Sequence, residues 1–177
     1  MVESKDIIQL LRLQRHDLMN DLQIVHGYLS MGKIDKVKMK VNDILEAFHQ
    51  ERLLMNMNCP NFALWLLQLN WKQPNIRFNY LLHSINQDLS HIDNTLTSVG
   101  MTFVDILTMA VSNQEELVEG TIEINVISSS IELVITIQAC AINKNAFKVG
   151  INNKIDNVSI HENNTNETII CTFTFPA

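Results

Sequence analysis

Glycine is scarce in this chain: five residues in 177, at 27, 32, 100, 120 and 150. Dinucleotide and phosphate loops need clustered glycines so that backbone N–H groups can close on phosphates, and a GxSxG elbow needs two around its serine. No such motif is complete here. Cysteine is nearly as rare. Cys59, Cys140 and Cys171 are odd in number and far apart, with no CxxC pair, which excludes a disulfide framework and points to reduced thiols in a cytoplasmic protein. No HxxxH or Cys/His spacing offers a metal site. Basic excess is absent too: net charge is −6 and the pI about 5.4, so no basic stripe exists to bind nucleic acid. The one long uncharged run, 53–71, contains Pro60 and four asparagines, which excludes a membrane span. The N-terminal MVESKDIIQLLRLQ carries acids and an amphipathic pattern, unlike a signal peptide.

What is present is enough apolar material for a packed core, 46% of residues. Charge is unevenly distributed. Residues 1–57 hold eight Lys/Arg against eight Asp/Glu, and the remainder holds five against eleven. Composition shifts near Cys59-Pro60, giving expected domains at 1–58 and 59–177.

On a helix turning about 100° per residue, Ile7, Leu11, Leu18, Leu22, Val25 and Leu29 share one face. After a turn at 30–33, Ile34, Val37, Val41, Ile44, Phe48 and Met55 form a second seam in 3-4 spacing, interrupted at Glu51. Two such helices make an antiparallel hairpin. A lone hairpin cannot bury both seams, so a second copy completing a four-helix bundle is expected. Beyond Pro60 the pattern becomes mixed. It predicts a short helix over 62–71, a strand over 76–82 and a helix over 88–113 broken near Ser98-Val99-Gly100. Strands follow at 121–127 and 131–139 around serines 128–130, then a short helix at 146–149. The last strands are expected at 154–161 and 167–175, around the Asn-rich turn 163–166. The fold class is α+β.

His16 lies opposite the apolar seam, with Asn20, Gln23 and Gly27 within roughly 40° of it. The stretch reads Arg15-His16-Asp17-Leu18-Met19-Asn20-Asp21-Leu22-Gln23. An exposed imidazole is a nucleophile near neutral pH. Asp17 can orient the ring or take a proton, and Arg15 can offset phosphoryl charge. Asn20 and Gln23 can donate to phosphate oxygens or to a docking partner, and Gly27 leaves room for another backbone. Taken alone, an exposed His-Asp pair is most often a solvated face. The other histidines read as ordinary surface or core residues, Met55 and Met57 as core or hairpin-end residues, and the lysines at 33, 36, 38 and 40 as a solvated face.

The sequence Arg-His-Asp-x-Met-Asn-x-Leu-Gln, followed by Gly27-x-Leu29-Ser30, resembles the sporulation initiation phosphotransferases of the bacterial sporulation phosphorelay. The Arg-His-Asp-x-x-Asn-x-Leu-Gln core also occurs in a class of sensor histidine kinases. Pro60-Asn61-Phe62 and Asn70-Trp71-Lys72 fit the same pattern more loosely. The resemblance implies a homodimer with a central four-helix bundle, and a C-terminal α/β sandwich like a histidine-kinase ATPase domain. His16 would be phosphorylated by the aspartyl phosphate of a single-domain response regulator. The group would then pass to the receiver aspartate of a transcription factor, with Asn20 and Gln23 lining the docking surface and Mg²⁺ supplied by the regulator. A kinase of this type needs N-x-x-x-N-A on a helix and a D-x-G-x-G loop. Asp105 and Met109 stand where the asparagines belong, and 139–144 has no glycine, so ATP-independent transfer is expected. The alternatives are an ATP-dependent histidine kinase and a non-catalytic dimeric protein that only docks response regulators.

Overall fold

The computed structural model describes residues 4–83, 88–111, 116–127, 130–140, 142–163, 165 and 167–177. They form two compact units, 1–52 and 53–177. The expected turn at serines 128–130 and the Asn-rich turn at 163–166 fall partly outside the described residues, as do 112–113 and Ala141. Among the described residues no helix is long and apolar enough to cross a membrane.

The first unit is the expected hairpin. Helix α1 spans Ser4–Ser30 and α2 spans Ile34–Asn56. Gly32 adopts φ +68°, a left-handed conformation that suits glycine, and Lys33 N–H closes on the Tyr28 carbonyl. Asp21 pairs with Lys40, and Lys36 lies over the Tyr28 ring. Both pairs have residue numbers summing near 62, as an antiparallel register requires. The spacing Gly27-x4-Gly32-Lys33 falls on the last turn of α1 and the turn beyond it. Ile34 stands where a phosphate loop needs Ser or Thr, so no phosphate cradle forms there.

The second unit is a two-layer α+β fold, as expected. Its elements are α3 (Pro60–Lys72), β1 (Ile76–Leu82), a 3₁₀ turn (Ser90–Ile92), α4 (Asp93–Ala110), β2 (Val118–Ile127), β3 (Ser130–Gln138), α5 (Lys144–Lys154), β4 (Val158–Asn163) and β5 (Thr168–Pro176). The sheet order is β1-β2-β3-β5-β4, with β1 and β2 parallel and the other pairs antiparallel. Burial alternates along β3, where Ile131, Leu133, Ile135 and Ile137 face the core, as period-two strands with one covered face must. Phe103 of α4 meets Phe78, Phe147 and Phe173 edge-on, which joins α4, α5 and the sheet.

Three expectations are corrected. Helix α4 runs unbroken through Ser98-Val99-Gly100. Gly100 is there for contact: a Cβ would stand 2.5 Å from the Trp65 ring. Helix α5 extends well past Val149 to Lys154, started by the Asn143 side chain accepting from Ala146 N–H. Strand β4 therefore begins only at Val158, after a turn with Asn157 at positive φ.

Buried anchors fix the entry to α3. Asp93 accepts from Phe62 N–H at 2.8 Å, from Asn61 N–H at 3.1 Å and from the Asn61 amide at 3.0 Å. A carboxylate at a helix N-terminus meets both orphan N–H groups and the positive end of the helix dipole. The Cys59 thiol donates to the Leu89 carbonyl. Burial first, then the Asp93 and Asp88 charges, pushes Cys59 up to about 12, and burial does the same to Cys171. Neither supplies a thiolate near neutral pH.

Candidate functional site

The middle of α1 presents the stripe on its solvent side. His16, Asp17, Asn20, Arg15 and Gln23 are all exposed. Gly27 is half-buried, and a Cβ there would meet nothing within 4 Å, so nothing in the chain's own packing demands glycine. The helix brings three of these side chains into contact. His16 Nδ1 lies 3.2 Å from Asp17 Oδ1 and 3.3 Å from Asn20 Nδ2. Among the described residues, Arg15, Gln23 and Gly27 make no hydrogen bond to the ring.

Two neighbours compete for one ring nitrogen. An ionised carboxylate can only accept, so the Asp17 contact requires the proton on Nδ1. The Asn20 contact as drawn requires a lone pair there, which would put the proton on Nε2. The charged acceptor is the stronger partner, so we assign the proton to Nδ1. Nε2 then carries an unshared lone pair on a side chain that is 69% exposed. The Asn20 N–H₂ is left free for another acceptor one helical turn from the ring.

Asp17 and Arg15 also line a cleft of about 400 Å³ between the helices, with Leu18, Asp21, Ile44, Phe48 and Glu51. Glu51 breaks the apolar seam of α2, and its partial burial there raises its carboxyl above the ordinary value. The apolar seams themselves remain open within the chain. Leu11 is 56% exposed and Leu29 55%, and Leu22, Ile34 and Phe48 are comparable. Sequence reasoning missed the Asp21–Lys40 pair, and it missed Met19, exposed between the seam and the histidine face.

In the second unit, Asp105 and Met109 both point to solvent from α4, Met109 with 78% of its surface exposed. Helices α4 and α5 pack closely: a Cβ at Gly150 would stand 2.7 Å from Ile106. The segment after β3 is tied to the end of α4 by Asn143 N–H on the Ala110 carbonyl and by the Val111–Ile142 bridge.

Comparison with known proteins agrees with the motif. Residues 1–57 match a family described as the alpha-helical domain of SpoOB-type sensor kinases. Sporulation initiation phosphotransferase B of Bacillus subtilis (strain 168) is 32% identical over 114 residues, covering 64% of this chain. The match spans 59% of that relative's length. Among solved structures, the histidine kinase AdeS of Acinetobacter baumannii aligns at TM-score 0.42 and 15% identity, over 91% of this chain and 97% of its own. A histidine kinase from Burkholderia phymatum STM815 aligns at TM-score 0.45 and 11% identity, over 97% and 91%. Neither structural likeness bears on the chemistry of the site. The resemblance read from Arg15 to Ser30 is thus borne out: the chain is similar to a sporulation initiation phosphotransferase, and its first 57 residues match the alpha-helical domain of the SpoOB type.

Proposed function

We propose that this protein is a phosphorelay phosphotransferase that carries a phosphoryl group on His16. The observation that carries the reading is the exposed His16 ring with Asp17 on its Nδ1, an arrangement that leaves Nε2 to take the phosphoryl group. In the forward step the Nε2 lone pair attacks the phosphorus of an aspartyl phosphate on a response regulator. The P–O bond to the aspartate breaks, and the electron pair leaves on its carboxylate. Asp17 stabilises the positive phosphoimidazole through Nδ1–H, and the Asn20 amide donates to a phosphoryl oxygen. In the second step the receiver aspartate of a sporulation transcription factor attacks the same phosphorus, and the P–N bond breaks. Mg²⁺ is brought by the regulator's own acidic pocket. Such transfers depend on positioning and charge stabilisation more than on proton removal, which suits a rigid helix with one oriented ring.

The protein acts as a homodimer in this reading, because the exposed seams of α1 and α2 supply the apolar surface of a four-helix bundle. His16 stays outside that seam. The segments 1–58 and 59–177 expected from the sequence, which differ by six residues from the compact units 1–52 and 53–177, then correspond to transfer and support. ATP is not the donor. Asp105 and Met109 replace the polar pair a Mg-nucleotide site needs, and α5 closes on α4 at Gly150. Calorimetry with Mg-ATP is expected to give no saturable heat at micromolar nucleotide; saturable binding would turn the reading toward a kinase.

The decisive test compares two donors. Label from a receiver carrying labelled aspartyl phosphate, acid-labile and reversible, is the expected result, with none from labelled Mg-ATP. Label from ATP would overturn it, and label from neither would favour a docking protein. Within the stripe, Asn20→Ala is expected to slow transfer about 100-fold, the scale on which loss of one oriented donor reads. Asp17→Ala is expected to slow it about tenfold, the low end of what one hydrogen bond to a charged group contributes. Rapid-quench rates check both. Equal rates for wild type and the Asn20 variant would remove Asn20 from the machinery.

A further inference from the structure

The lysines at 33, 36, 38 and 40 look alike in the sequence, but Lys40 stands apart in the structure. Its Nζ lies 2.6 Å from Asp21 Oδ1, with the side chains only 26% and 34% exposed. Among the described residues it is the one ion pair joining α1 to α2. Asp21 sits one helical turn beyond Asp17 on the same side of α1, and like charges at i and i+4 repel. Asp17 in turn holds His16. Arg15, Asp17 and Asp21 line one cleft between the helices together with Glu51, and Lys40 pairs with Asp21 beside it. Without Lys40, the Asp21 carboxylate would stand uncancelled one turn from Asp17 and add to the negative potential met by an incoming phosphoryl group.

We propose that Lys40 is a positioning residue for the His16 site: by pairing Asp21 across the hairpin it cancels the second carboxylate, so that Asp17 alone sets the field at the ring. This rests on the phosphotransfer reading above and adds a residue of α2 to it. Asp21 follows His16 by five residues, which on an α-helix separates the two side chains by about 10 Å, and a single uncancelled charge at that separation changes the rate of reaction with an anionic donor about fourfold at low salt.

The test uses phosphoramidate, a small anion that phosphorylates histidine with no partner protein. Nε2 bonds to phosphorus, the reagent's P–N bond breaks and ammonia leaves with the electron pair. Labelling of His16 is followed in the full chain for wild type, Lys40→Met, Asp21→Asn and the double variant. Lys40→Met is expected to be about fourfold slower, and the difference to vanish in 0.5 M salt. The double variant, which has lost the ion pair and both its charges, is expected to return to the wild-type rate. If the double variant is as slow as Lys40→Met, the pair acts only as a structural tie and the proposal fails. It also fails if Lys40→Met labels at the wild-type rate, or if no variant labels at His16. A wild type that labels with phosphoramidate yet never with a phosphorylated receiver would sink the phosphotransfer reading and leave the comparison of variants intact.

Discussion

His16→Ala is expected to abolish phosphoryl labelling from a phosphorylated receiver while leaving the fold and the oligomeric state unchanged. The loss should be on the order of 10⁴-fold or more, the scale on which removal of a nucleophile reads. The fold should survive because the ring is 69% exposed and its recorded partners are two equally solvent-facing neighbours, Asp17 and Asn20. Removing them leaves no buried polar group unsatisfied, and alanine is the better helix former by about 0.5 kcal/mol. Circular dichroism and sedimentation should therefore coincide with wild type. The contrast is what makes the result informative, because a misfolded variant would lose label for trivial reasons. Label retained in this variant would move the nucleophile elsewhere, and His26, exposed ten residues along α1, would be examined next.

Why this site could be read in advance, and the packing around it could not, follows from the range of the interactions. His16, Asp17 and Asn20 meet because i, i+1 and i+4 adjoin on any helix, and the helix announced itself through its 3-4 apolar spacing. Strand β1 was equally legible, since alternation from Ile76 to Leu82 is a local signal. Gly100 misled because a glycine next to Ser98 and Val99 looks like a breaker, whereas its cause is Trp65, thirty-five residues away. The end of α5 was lost because Asn152, Asn153 and Lys154 carry loop-like composition, and their helical state depends on Phe147 and Ile151 anchoring the other face. Lys40 and Asp21 pair across the turn, and only the hairpin register distinguishes that lysine from its neighbours.

Asp93→Ala should strongly destabilise the second unit. Asp93 is 6% exposed and accepts three hydrogen bonds from the start of α3, two of them from backbone N–H groups. Alanine leaves those donors without their acceptor at a buried helix entry, and removes the charge that faces the helix dipole. Losing a capping side chain costs about 1 kcal/mol, and a hydrogen bond to a charged group about 1.5–3 kcal/mol. A total near 3 kcal/mol is expected, a large fraction of the stability of a domain this size. Asp93→Asn keeps an acceptor oxygen but no charge, and can meet one backbone N–H well while turning its own donor toward the others, so about half the loss is expected. Urea unfolding followed by the fluorescence of Trp65 and Trp71, both on α3, reports the change directly. Equal midpoints for wild type and Asp93→Ala would mean that the carboxylate does not hold α3 in place. A loss in Asp93→Asn as large as in Asp93→Ala would assign the stabilisation to the charge at the helix terminus and leave little to the hydrogen bonds themselves.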